Sequence, residues 1–336
     1  MLKQQKIDVV DMHTAGEPLR IVTRGYPEVL GETILAKRRY ARDTLDHLRQ
    51  FLMFEPRGHF DMYGAVLVEP SHPEAHFGVL FIHNEGYSTM CGHAVIALGR
   101  YAVDHGLVAA TSPVTQVRIE CPCGLVVACV DVKDGIAGAV SFRSVPAFLH
   151  SKDVVVDVKG LGELAVDVAY GGAFYGLAPA SAFGLDVQKS SSRDLVDAAN
   201  AVSDAVRAAV RLHHPDDADL AFLYGTLLTD GNDAYSPDAT ANICVFADSQ
   251  VDRSPTGSGV TARLAAQAAR GLIAKGQTRR FESLISTCFE GTYFEDARCG
   301  QHDAIIAQVA GKAHYSGTAT FWREQDDPVG NGFLLR

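Results

Sequence analysis

Apolar and β-branched residues gather in short runs at 6–11, 63–68, 78–83 and 125–132, each about the length of a strand. Between them lie fewer stretches with helical spacing. Two of these, 42–54 and 193–212, are charged and amphipathic. The mixture lacks the regular strand–helix–strand alternation of a parallel sheet, so the pattern predicts an α+β class. The longest uncharged stretch, 168–185, is interrupted by repeated Gly and by Pro179, and it reads as buried strand and turn rather than as a membrane helix.

The pattern also repeats. An early Gly turn, HTAGEPLRIV from His13 or YGGAFYGLAP from Tyr170, precedes each amphipathic helix, and a pair of strands follows it. Next come TMCGHAVIALGRYAVDHGLV and SPTGSGVTARLAAQAARGLI. Each is a small-residue turn opening a helix that ends at a Gly followed by Leu, the sequence form of a Schellman cap. Cys91 and Gly106 stand 165 positions before Thr256 and Gly271, so the two helices have equal length from start to cap. Further on, Cys121 and Gly124 match Cys288 and Gly291 at an offset of 167. Five features in one order predict a duplication: two similar lobes facing one another across a cleft.

Length and composition narrow the function. The chain has 336 residues, 47% of them hydrophobic, enough for two domains with a large core. Lys plus Arg number 30 against 40 Asp plus Glu, a net charge of −10, which argues against binding to nucleic acid or to an anionic membrane surface. The opening MLKQQKIDVVDMHTAGEP is polar, carries Asp8 and lacks the apolar core of a signal peptide, so a cytoplasmic location is expected. Seven cysteines in a chain of this length do not form a disulfide framework and predict free thiols in a reducing compartment. The sequence leaves room for a homodimer.

The candidate chemistry sits where the repeated helices begin. Cys91 stands at the start of an apolar helix, with Gly92 and His93 in its first turn, where backbone N–H groups lack intrahelical acceptors. The positive helix end favours a thiolate at Cys91, and the N–H groups can hold a carboxylate. The competing reading of Cys91 is a small buried core residue. Duplication makes Thr256 its counterpart, with a carbanionic intermediate expected between the two helix starts. A racemase needs an acid–base residue on each face of the reacting carbon. Thr256 is a poor base beside a thiol of pKa about 8.5, so the site reads as one-sided.

The strings MCGH at 90–93, DRSPTGSG at 252–259, HTAGEP at 13–18 and EPRGHFDMYGA at 55–65 resemble the proline racemase family over nearly the whole chain. Racemases and epimerases of that family carry cysteine in both motifs; the pairing of Cys91 with Thr256 resembles its trans-3-hydroxy-L-proline dehydratases. The resemblance implies Cys91 as proton acceptor and Asp252 as partner of the substrate amine. It implies Gly92, His93, Gly257 and Ser258 as carboxylate and ring contacts, Ser258 standing where Thr is commoner. It further implies dehydration of a small-molecule substrate, hydroxyproline, to Δ1-pyrroline-2-carboxylate with no metal or organic cofactor. Thr256 is left either to cap its helix or to hydrogen-bond a water or substrate atom. The implied fold is that of diaminopimelate epimerase: two pseudosymmetric lobes, each wrapping strands around a central helix, with the active site in the cleft. The first lobe is placed at 1–148, completed by the C-terminal strand, and the second at 149–336. In trans-3-hydroxy-L-proline the hydroxyl shares a ring face with the Cα hydrogen, so elimination is syn and one base suffices.

Other motifs are weaker. Residues 257–262 fit G-x-G-x-x-A with Glu282 further on, but the glycines follow a loop containing Pro255, and the βαβ series of a dinucleotide site is lacking. Cys121, Cys123 and Cys129 share a face of one extended stretch, yet no second pair with zinc spacing accompanies them. His72 and His76 flank Pro73, which suits a loop. His13 and His59 read as structural histidines near Gly turns. The alternatives to a dehydratase are a 4-hydroxyproline 2-epimerase or proline racemase that recruits a water through Thr256, and, in another class, a non-catalytic amino-acid-binding protein.

Overall fold

The computed structural model describes residues 6–335 and forms two compact units. One takes the chain up to Val140 and again from Lys312; the other is Ser141–Gly311. The first contains β1 (Lys6–Thr14), β2 (Glu17–Arg24), α1 (Ile34–Thr44), α2 (Asp46–Met53), β3 (Tyr63–Val68), β4 (Phe77–His83), β5 (Tyr87–Ser88), α3 (Gly92–Asp104), β6 (Val114–Cys121) and β7 (Gly124–Lys133). The division falls within β8 (Ile136–Arg143). The second contains β9 (Phe148–Val158), β10 (Gly162–Tyr170), β11 (Phe174–Pro179), α4 (Ser192–Ala209), β12 (Leu223–Thr229), β13 (Thr240–Phe246), β14 (Gln250–Asp252), α5 (Gly257–Ala269), β15 (Thr278–Glu282), β16 (Cys288–Cys299) and β17 (His302–Gly311). The chain then returns to the first unit as β18 (Ala313–Trp322).

Strand pairing gives the duplication its structural form. In the first unit β18–β1 and β1–β2 are antiparallel, β2–β3 parallel, β3–β4 antiparallel, β4–β6 parallel and β6–β7 antiparallel. In the second, β9–β10 and β10–β11 are antiparallel, β11–β12 parallel, β12–β13 antiparallel, β13–β15 parallel and β15–β16 antiparallel. The order matches pair for pair, with β18 taking the place of β9. The fold is α+β with two similar lobes.

The division lies before residue 148 for a local reason. Segment 141–147 is hydrogen-bonded to β17, Ser144 N–H donating to Ala307 O at 2.8 Å and Ala147 N–H to Ile305 O at 2.8 Å, so it belongs with the second unit. The amphipathic stretch 42–54 is not one helix but the end of α1 followed by α2, with a break at Leu45. The Thr33 side chain starts α1 by accepting from Ala36 N–H. On α2 the residues Leu48, Phe51, Leu52 and Met53 are buried against Val66, Leu80 and Ile82, each burial worth about 1.5–3 kcal/mol. The helix α4 follows its prediction closely, capped by Ser191, which accepts from Asp194 N–H.

Both central helices are nearly enclosed. Every residue from Gly92 to Gly99 in α3 and from Gly257 to Gln267 in α5 is buried, which explains why neither shows a polar stripe. Each ends at a glycine with φ of +69°, Gly106 or Gly271, the left-handed cap the sequence predicts. One proposed repeat match fails. Cys121 and Gly124 face each other across the β6–β7 turn, whereas Cys288 and Gly291 lie along one strand, β16. The same turn separates Cys123 from Cys129, which pairs with Gln116 along the hairpin, so these thiols are not gathered on one strand face. No helix among the described residues is long and apolar enough to cross a membrane.

Candidate active site

Cys91 is the N-cap of α3, extended at φ −146° and ψ 103°, and its carbonyl accepts the first helical bond from Val95 N–H at 3.0 Å. Its side chain makes no capping hydrogen bond, so the thiol is not used up in closing the helix. The residue is 4% exposed. Its Sγ lies 3.3 Å from Nδ1 of His93, a contact the sequence did not disclose, since His93 was expected only as a substrate contact. The His93 ring is met edge-on by Tyr63 at 4.9 Å, and Tyr63 stacks on His83 at 5.7 Å.

The helix start is held from two sides. Thr14, the last residue of β1 in the HTAGEP segment, donates through Oγ1 to His93 O at 2.9 Å. At the β6–β7 turn, Cys123 N–H donates to Thr89 O at 3.0 Å, holding the approach to Cys91. Burial pushes the Cys121 thiol well above its ordinary value, with Cys123 and Cys91 adding to the shift, so Cys121 is a neutral neighbour. The EPRG segment is fixed by Arg20, which forks onto Asp11 at 2.9 and 2.8 Å and donates to Leu52 O and Arg57 O.

Thr256 occupies the same helix position in the second unit but differs in conformation. It has φ of +65°, which for a β-branched residue is a genuine outlier, costing on the order of 1–3 kcal/mol. It does not cap: the side chain makes no capping bond, and Oγ1 is buried without a hydrogen-bond partner. Capping, one of the two roles open in the sequence, is thereby removed. The residue's backbone is fastened instead, with Thr256 N–H donating to Ser254 Oγ at 3.1 Å and Val260 N–H to Thr256 O at 2.7 Å. Asp252 orders this loop by accepting Ser254 N–H on Oδ1 at 2.7 Å, and Asn242 holds Pro255 O at 3.1 Å.

Gly257 and Ser258 open α5, but the Ser258 hydroxyl is engaged, 2.7 Å from the Tyr175 hydroxyl with both groups buried. Burial raises Tyr175 well above the ordinary phenol value, so it stays protonated. Tyr175 is a residue the sequence reading missed; its one signal was its place in the repeated Gly-turn segment. Gly171 in that segment touches the α5 backbone, where a Cβ would lie 2.2 Å from Ser258 O and 2.6 Å from Ala262 N. The early Gly turn of each repeat thus abuts its own helix start.

The weaker motifs settle into structural places. His13 stacks on His314 at 5.3 Å, the His59 ring lies 2.6 Å from Phe60 O, and His72 to His76 form a turn.

Residues 9–334 match the proline racemase family. The chain is 59% identical to the trans-3-hydroxy-L-proline dehydratase of Homo sapiens over 98% of this chain and 95% of the relative. It is 44% identical to the 3-hydroxyproline 2-epimerase of Burkholderia multivorans over 99% of each. Among solved structures, the hydroxyproline epimerase of Agrobacterium vitis with bound trans-4-hydroxy-L-proline superposes with a TM-score of 0.93 at 26% identity, covering 100% of this chain and 97% of that one. Methylitaconate-delta-isomerase, at 14% identity and a TM-score of 0.53 over 95% of this chain and 96% of that one, shares the fold. With a repeated lobe, a thiol at one helix start and a family match across almost its full length, the chain belongs to the proline racemase family.

Proposed function

We propose that this protein is a hydro-lyase that converts trans-3-hydroxy-L-proline to Δ1-pyrroline-2-carboxylate and water, with Cys91 as its single base. The observation that carries the reading is the inequality of the two helix starts: a thiol beside an imidazole at one, a buried threonine hydroxyl at the other. A threonine cannot return a proton to the second face of Cα at neutral pH, so turnover is directed to elimination instead of inversion. The names of two relatives at 59% and 55% identity, both trans-3-hydroxyproline dehydratases, support the same substrate.

In this reading Cys91 takes the Cα proton, the C3–O bond breaks, and the Cys91 thiol returns that proton to the departing hydroxyl as water. The enamine left behind tautomerises to the pyrroline. First-turn N–H groups of α3 stabilise charge developing on the carboxylate. The reading also places the enzyme in the cytoplasm, in keeping with seven free thiols.

The test is proton NMR in D₂O with trans-3-hydroxy-L-proline, trans-4-hydroxy-L-proline and L-proline in separate tubes. The expected result is loss of the 3-hydroxy compound alone with growth of pyrroline-carboxylate signals. Inversion at C2 of any of the three, with deuterium entering Cα and no pyrroline, would replace dehydration by epimerisation. Binding without turnover of any compound would leave an amino-acid-binding protein.

A further inference from the structure

A cluster of ligating side chains in the second unit belongs to neither helix start. His214 and Asp216 lie on the loop between α4 and β12, and Cys299 ends β16. Among the described residues these three form a group whose ligating atoms all lie within 4.8 Å of one another. Cys299 Sγ is 4.0 Å from His214 Nε2, although the residues are 85 positions apart. His214 and Cys299 are 4% and 6% exposed, while Asp216 reaches solvent and gives an ion a way in. The two segments are pressed together here: a Cβ on Gly300 would lie 2.7 Å from the Pro215 ring.

We propose that His214, Asp216 and Cys299 bind one borderline divalent cation of the zinc class, fastening the loop after α4 to the turn between β16 and β17. The donor set is one thiolate, one imidazole and one carboxylate. It suits zinc rather than magnesium or calcium, which prefer oxygen, and leaves a fourth tetrahedral position for water. Metal–sulfur and metal–nitrogen distances of about 2.3 and 2.0–2.1 Å imply a donor separation of about 3.5 Å, so the sulfur and nitrogen need to close by about 0.5 Å. The sequence hides the site because H-x-D with a distant cysteine matches no zinc spacing.

Proton balance follows from the surroundings. Asp216 N–H donates to His214 Nδ1 at 3.2 Å, which places the ring proton on Nε2. On coordination that proton moves to Nδ1, the long contact from Asp216 N–H opens, and the Cys299 thiol proton is released to solvent. One proton leaves per cation bound.

The test adds Co²⁺ to the full-length C91S protein, so that the thiol at Cys91 cannot contribute. The expected result is a thiolate-to-cobalt charge-transfer band that saturates at one equivalent and is displaced by Zn²⁺. It should vanish in C91S/C299S and weaken at least tenfold in apparent affinity in C91S/H214Q. In parallel, Zn²⁺ should raise the thermal midpoint of the wild-type protein and leave that of C299S unchanged. Absence of the band in C91S, or its persistence after Cys299 is removed, would overturn the assignment.

Discussion

At residue scale the protein turns on two positions with unequal chemistry. Cys91→Ser keeps the size and the extended backbone of the N-cap but removes the thiol. Steady-state turnover should fall by at least about 10²-fold, the usual share of a general base, with the thermal midpoint unchanged. Thr256 carries a positive φ and a buried hydroxyl with no partner, two costs that a purely structural residue would not retain. Thr256→Gly should therefore raise stability by about 1 kcal/mol in denaturant melts while lowering turnover, and a loss of stability would contradict the strain. Thr256→Cys places a second titratable thiol at the matching helix start. It should confer epimerisation of 4-hydroxyproline or racemisation of proline, read as inversion at C2; a folded variant that still dehydrates but inverts neither would count against a part for position 256 in the reaction.

At the scale of elements, the question is what holds two helix starts in place. For α5 the answer includes backbone contact: Gly171 has no room for a methyl group against Ser258 O and Ala262 N. Gly171→Ala should cost about 1–3 kcal/mol and reduce turnover more than the fold loss alone accounts for, checked by activity measured well below the melting transition. Further along α5, Arg263 is buried and anchored by Asp233 at 2.8 Å. Burial works against ionised Asp233, but the Arg263 charge and hydrogen bonds outweigh it and hold the carboxyl below its ordinary value; Asp230 is likewise lowered by its hydrogen bonds against the effect of burial. Carboxyls depressed in the folded state stabilise it above their unfolded pKa, about 3.9, and lose that contribution as pH falls through the lower folded value. Thermal midpoints should thus drop on acidification below about pH 4, and the drop should be smaller in Asp233→Asn.

At the scale of the whole molecule, the two units differ in how the chain supplies them. Ser141–Gly311 is continuous, whereas the other unit takes its edge strand β18 from the far end of the chain. In β18, Phe321 and Ala319 pair with Ile7 and Val9 and pack on the apolar cluster around α2. Expressed alone, residues 141–311 should melt cooperatively, while 1–140 should do so only when 312–336 is supplied. A cooperative melt of 1–140 by itself would show that β18 is dispensable.

The sequence by itself determined the local and repeating features: strand runs, equal central helices, their glycine caps, and the thiol and hydroxyl at matching starts. These depend on side-chain period, φ preference and neighbours within a turn, all written in consecutive residues. Only the tertiary structure decided the rest. It placed the His93 imidazole against Cys91, tied Ser258 to Tyr175 and denied Thr256 a capping role. It also separated Cys121 and Cys123 from Cys129, and brought Cys299 to His214 from 85 positions away. Such contacts are set by how strands pair and which backbones touch, and residues far apart in the chain carry no local mark of the partner they will meet.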